Sequence, residues 1–214
     1  PVSDHNHETG RGLPSLREVS GGHGQPLSGA QLGIWFAQKI DPSSSAYNIG
    51  EYLEIEGHID SRLFELALRQ VVAETDVLRL QFFEHNGEPR QVVNSDVAWS
   101  MSFFDLSDEI DPRAAAEAWM RADLTHAIDP TRGPLFGFAL FKISTERFFW
   151  YARYHHIILD GYGMWLVARR LANIYSGLCR GVSTREGSFG SFAALLEEDS
   201  VYRASVGFSE DRQF

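Results

Sequence analysis

Two adjacent histidines, His155 and His156, are followed after three apolar residues by Asp160-Gly161. Imidazole titrates near neutrality, so a histidine at the rim of a cleft can serve as a general base or hold a nucleophile by a hydrogen bond. Metal binding is the other chemistry that a histidine pair invites. It fits poorly here, because successive residues of an extended strand point to opposite faces, and no further His or Cys stands at ligand spacing nearby. Only one of the pair can face a given cleft; the other must face a core or brace its neighbour. Two readings stay open on these residues alone: a pair of hydrogen-bonded structural histidines, or a base at the end of a strand. The Asp-Gly that follows makes the second more specific.

The flanking residues say how such a pair would be placed. Residues 147–154 are a run of aromatic and β-forming side chains, preceded by a turn at Ser144-Thr145-Glu146 and by a second apolar stretch over 135–143. This pattern predicts a hairpin of two buried strands with the histidines at its end. Residues 164–178 read as a helix, with Leu166, Val167, Leu171 and Ile174 inward, and Asp160-Gly161 would be the bend between strand and helix.

The rest of the chain supplies a scaffold. Ser28 is a suitable cap for a helix over 29–38, and Asp60 for one over 61–75 whose Phe64, Leu68, Val71 and Val72 form an apolar stripe. Residues 47–56 suit a strand. Residues 78–84 and 89–93 read as two strands joined by a turn at Asn86-Gly87. A further strand is expected over 99–106, a helix opening at Asp111-Pro112 and running to about 127, and a last helix over 188–202. Strands and hairpins alternating with helices predict an α+β fold, a two-layer sandwich of a mixed sheet and helices.

Composition narrows the function classes. The 214 residues suit one domain or one large lobe, and a hydrophobic content of 43% is enough for a sizeable core. A net charge of −10 would repel phosphate backbones, so no nucleic acid is expected as a partner. No apolar run approaches the length of a membrane span, and no secretory signal pattern is present. No membrane partner is therefore expected, and a cytoplasmic location is. Cys179 is the single cysteine, which rules out an intrachain disulfide. Residues 1–25, rich in Gly, Ser, His and charge, read as a flexible leader; His5 and His7 there suit a solvated tail better than a metal site. The start at Pro1 suggests a piece excised from a longer chain.

Three stretches together carry a resemblance. Residues 155–161 resemble the HHxxxDG signature of nonribosomal peptide synthetase condensation domains, which are similar in fold to chloramphenicol acetyltransferase. Residues 27–35 resemble the opening motif S-x-A-Q-x-R-x-W of that family, and residues 74–82 its R-H-E-x-L-R-T-x-F. The order agrees, and the likeness runs from about Pro26 to the end. The departures are Gly33 for the first Arg, Glu74-Thr75-Asp76 for R-H-E, and Leu80 for Thr.

The resemblance implies that residues 26–214 are the N-terminal lobe of a two-lobed domain whose C-terminal lobe is absent. It implies peptide (amide) bond formation between a donor acyl or peptidyl thioester and an aminoacyl acceptor. Both ride on phosphopantetheine arms of upstream and downstream carrier proteins. The lobe itself needs no bound cofactor and no metal. An adenylation domain of the same synthetase is a further expected partner. By the same resemblance His156 faces the tunnel as base or positioning group, and His155 braces the loop. Gly161 lets backbone approach the substrates, and Arg79 makes a buried pair with Asp160. Two rivals remain: an epimerisation or acyltransferase relative, and a non-catalytic lobe that binds carriers or neighbouring domains. Cyclisation relatives carry aspartates in place of the histidines and are disfavoured.

Overall fold

The computed structural model describes residues 24–184 and 189–211. Most of the leader, with His5 and His7, and the expected start of the last helix at Ser188 lie outside the described residues.

The fold grows from a hairpin. Strand β6 (Phe136–Ser144) pairs antiparallel with β7 (Arg147–His155). On β7, Phe148, Trp150, Ala152 and Tyr154 face one side, and Phe149 and Tyr151 the other, and all are buried. A strand apolar on both faces must be covered on both. Strand β2 (Asn48–Glu56) flanks β7 antiparallel and β5 (Ser102–Asp105) flanks β6 in parallel, so the order is β2-β7-β6-β5.

Two helices cover the Trp150 face: α2 (Ser61–Glu74), with Phe64, Leu68 and Val71, and α4 (Gly161–Cys179), with Met164, Val167, Leu171 and Ile174. Helix α3 (Pro112–Leu124) covers the opposite face, setting Ala116 and Met120 against Phe141, Phe149 and Tyr151. The expected α+β sandwich of a mixed sheet and helices is present, with α3 added behind the sheet.

A second, smaller sheet is built from β1 (Gln25–Pro26), β4 (Glu88–Val93) and β3 (Leu80–His85), in the order β1-β4-β3. Asn86 and Gly87 form its turn with φ of 52° and 80°, the left-handed pair that a two-residue hairpin loop requires. Helix α1 (Gly29–Ile40) begins at the Ser28 cap, where Ser28 and Gln31 close a reciprocal capping box. Helices α5 (Phe192–Arg203) and α6 (Val206–Asp211) end the described chain.

Two segments differ from the sequence reading. The strand expected over 99–106 shrinks to four residues. The stretch expected to begin a strand at Leu78 is instead a 3-10 turn over Asp76–Arg79, so Arg79 lies on a turn and the strand starts at Leu80. The turn is closed by an ion pair between the Arg79 guanidinium and the Asp76 carboxylate at 2.8 Å.

Glu74, where the chain departs from R-H-E, has a structural use. Its carboxylate takes two hydrogen bonds from Arg170 of α4, at 2.7 and 2.8 Å. The side chains are 13% and 6% exposed. This bidentate pair ties the end of α2 to the middle of α4. The Arg170 hydrogen bond holds the Glu74 carboxyl below its ordinary value of 4.5. Its contribution to stability is therefore present above that value and lost as pH falls below it. Removing one partner of a buried pair costs about 3–5 kcal/mol, because the other charge is left uncompensated. Arg170→Met is expected to lower the unfolding free energy by an amount of that order in urea titrations. The double change Glu74→Leu with Arg170→Met is expected to cost less than Arg170→Met alone.

Candidate active site

Strand β7 ends at His155, residues 156–158 turn, and Asp160 caps α4. The main chain pins both histidines. The N–H of His155 donates to the Leu135 carbonyl at 2.8 Å, and that of His156 to the Tyr47 carbonyl at 2.7 Å. Leu135 precedes β6 and Tyr47 precedes β2, so the turn is anchored on both sides of the central strand.

His155 is 1% exposed. The backbone N–H of Ile157 donates to its Nδ1 at 3.1 Å, so Nδ1 is unprotonated and the proton of the neutral ring sits on Nε2. That proton faces the amide oxygen of Gln38, 3.4 Å away. Burial, and after it the neighbouring His156, pull the His155 pKa down to about 4. With both nitrogens engaged inside the protein, this ring is neither a base for a substrate nor a metal ligand.

His156 has the opposite arrangement. It is exposed, and its Nδ1 lies 3.0 Å from the Leu159 carbonyl. A carbonyl only accepts, so Nδ1 carries the proton and the lone pair of the neutral ring is on Nε2. The two histidines are thus held in opposite tautomers by backbone groups of the same short turn.

Asp160 is a helix cap. Its Oδ1 accepts from the Gly163 N–H at 2.8 Å, and its carbonyl from the Met164 N–H at 2.9 Å. Helix α4 consequently starts at Gly161, three residues before the sequence pattern suggested. The buried Arg79–Asp160 pair implied by the resemblance is not formed. Asp160 is exposed and spends its carboxylate on the cap, while Arg79 pairs with Asp76 on its own turn. Asp76 also accepts from the Phe192 N–H at 3.2 Å, which ties the start of α5 to that turn. Gly161 is exposed at the first turn of α4, and a methyl group in place of its hydrogen would meet nothing within 4 Å. Its N–H is one of the helix-start donors without an intrahelical acceptor.

Side chains that the sequence reading left unassigned hold the turn from behind. Gln31 and Gln91 exchange amide hydrogen bonds at 2.9 Å each, and Gln31 Nε2 also donates to the Ile157 carbonyl at 3.3 Å. Gln91 donates further to the Pro26 carbonyl at 2.9 Å. Gln31, Trp35 and Gln38 form the buried face of α1. The clue available in the sequence was a pair of amides seven residues apart, two helical turns, on the apolar side of a predicted helix.

This geometry has relatives. A family model described as "Condensation domain" matches residues 23–214. The chain belongs to the condensation domain family. A dimodular nonribosomal peptide synthase of Bacillus subtilis is 46% identical over 188 residues, covering 88% of this chain and 8% of that protein. An isonitrile lipopeptide synthase of Streptomyces coeruleorubidus is 44% identical over 191 residues, 89% of this chain and 13% of that protein. Among solved structures, a variant starter condensation domain of rhizomide synthetase in complex with C8-CoA is 48% identical. It superimposes with a TM-score of 0.84, over 87% of this chain and 43% of that one. The first condensation domain of the calcium-dependent antibiotic synthetase, in complex with a substrate analogue, is 32% identical with a TM-score of 0.84, covering 88% and 45%. The chain therefore spans less than half the length of these condensation domain structures and a small part of the synthetases.

Two measurements check the geometry. The pKa of His155 lies below the ordinary 6.5, so its contribution to stability is intact above 6.5 and is lost as pH falls toward 4. The difference in unfolding free energy between wild type and His155→Gln is expected to narrow by about 3 kcal/mol between pH 7 and pH 4. Asp160→Ala is expected to cost about 1 kcal/mol, the worth of a cap. Asp160→Asn, which can still cap, is expected to melt close to wild type. A buried ion pair at Asp160 would instead make both changes severe.

Proposed function

We propose that this chain is the N-terminal lobe of a condensation domain, and that it forms an amide bond between two carrier-bound thioesters once joined to a second lobe. The observation that carries the reading is the exposed Nε2 of His156, left as the lone-pair nitrogen because Nδ1 is committed to the Leu159 carbonyl. The membership of the family and the likeness to domains about twice as long support it.

In this reading an acceptor aminoacyl thioester presents its amine beside His156, and a donor acyl thioester presents its carbonyl carbon to that amine. As the C–N bond forms, Nε2 takes the proton of the amine. As the tetrahedral adduct collapses, the C–S bond breaks and the proton passes to the departing pantetheine thiol. A thioester is already activated, so much of the acceleration comes from holding two tethered reactants in line. The N–H groups of the first turn of α4, at Gly161, face the negative charge that develops on the carbonyl oxygen; the positive end of the helix dipole lies there. Asp160 starts that helix, and His155 holds the turn. No cofactor binds this lobe; its substrates arrive on phosphopantetheine arms.

The partners are the upstream and downstream carrier proteins, the C-terminal lobe and an adenylation domain of one synthetase, all in the cytoplasm. Among the described residues, no helix is long and apolar enough to cross a membrane. The likeness to a starter domain solved with C8-CoA favours a fatty-acyl donor over a peptidyl one.

The test uses the complete condensation domain with both carriers loaded, and quantifies the acylated aminoacyl thioester by mass spectrometry. His156→Ala is expected to lower product formation by about 10²-fold or more at unchanged carrier binding. Wild-type turnover by His156→Ala would remove the base and leave proximity alone as the source of rate. An inactive complete domain that still binds carriers would favour a non-catalytic docking role.

A further inference from the structure

We infer that Gln38 is a positioning residue for the condensation reaction, acting on His156 through the tautomer of His155; the inference rests on the function proposed above. Gln38 stands outside the quoted motifs and on a different element from the histidines. Its side chain is 3% exposed and linked on both ends. Its Nε2 donates to the carbonyls of Asp41, Pro42 and Ser44 at 3.2, 3.3 and 3.0 Å. These acceptors fix the amide's orientation. A flipped amide would set its oxygen against three carbonyls and its N–H groups against the protonated Nε2 of His155. The oxygen is therefore the group turned to His155, 3.4 Å away.

From there the linkage is continuous. An acceptor opposite Nε2 keeps the His155 proton on that nitrogen, which leaves Nδ1 as the acceptor for the Ile157 N–H. That hydrogen bond shapes the turn in which the Leu159 carbonyl receives the Nδ1 proton of His156. With an apolar group in place of the amide, the buried Nε2–H of His155 is left without an acceptor, and only the Ile157 N–H still opposes a move of the proton to Nδ1. A ring protonated at Nδ1 would place N–H against N–H at Ile157, and the turn must shift. Displacement of a reacting group by about 1 Å can cost 10²-fold in rate. Titratable neighbours of the His155 ring are His156 and Tyr47, whose ring centroid lies 6.2 Å away.

The experiment uses the complete domain, labelled with [15N]histidine, and two variants. In Gln38→Met, kcat is expected to fall between about 10- and 100-fold with KM for both carriers within about twofold. The His155 nitrogens are expected to lose the separated pattern of one bare Nδ1 and one protonated Nε2. Gln38→Glu keeps an acceptor but adds charge, so the ring is expected to take its second proton at a pH at least one unit above wild type. Each outcome of these measurements has a consequence. Wild-type kcat in Gln38→Met overturns the inference. So does a loss of kcat with unchanged His155 shifts, which assigns the loss to the helix rather than to the ring. An unmoved His155 titration in Gln38→Glu overturns it as well, and that variant carries the test should Gln38→Met not fold. If the wild-type domain forms no product, the proposed reaction fails while the nitrogen shifts still decide the linkage.

Discussion

A single backbone N–H, that of Ile157, needs an acceptor inside the protein, and a neutral imidazole supplies it. A protonated His155 could not accept, so the site depends on keeping one proton away from one nitrogen. Burial does most of this, because moving a charged ring out of water is costly. The strand, the helix behind it and the loop at residues 41–44 are arranged around that requirement. The apolar hairpin creates the dry position at the end of β7, and α1 brings an amide to the ring's other side.

The partner histidine illustrates how little is needed to make a different chemical group from the same side chain. His156 is one residue further along, past the end of the strand, where water reaches it. A carbonyl three residues on holds its proton at Nδ1. Alternation of side chains along an extended backbone explains why the two rings separate into a buried and an exposed site. Hydrogen bonds to a shared turn explain why their free nitrogens differ.

Much of this was legible in residue patterns because local physics decided it. The caps at Ser28, Asp60 and Asp111, the Asn86-Gly87 turn and the paired aromatic strands depend on short-range chemistry, and the structure shows each of them. Asp160 also obeys a local rule, since an aspartate before a helical pattern is a natural cap, yet the resemblance directed attention to Arg79. Arg79 found a nearer carboxylate, three residues back on its own turn, and an ion pair closed within one turn costs less chain ordering than one across the molecule. Contacts between distant segments were not legible. Nothing in the residue pattern around Glu74 announces that it will meet Arg170, and nothing around Gln38 that it will meet His155. Those pairings are consequences of how the helices pack on the sheet.

The carbonyl that sets the proton of His156 belongs to the signature heptapeptide itself, whereas the side chains that set the location of that heptapeptide lie more than a hundred residues earlier, on α1. Tautomer and address are thus encoded in separate parts of the chain. Recombination that moves the heptapeptide together with α4 would transfer the lone-pair nitrogen but leave its coordinates to the recipient's first helix. A chimera joined between α1 and α4 would separate the turn at residues 155–157 from the amides that hold it.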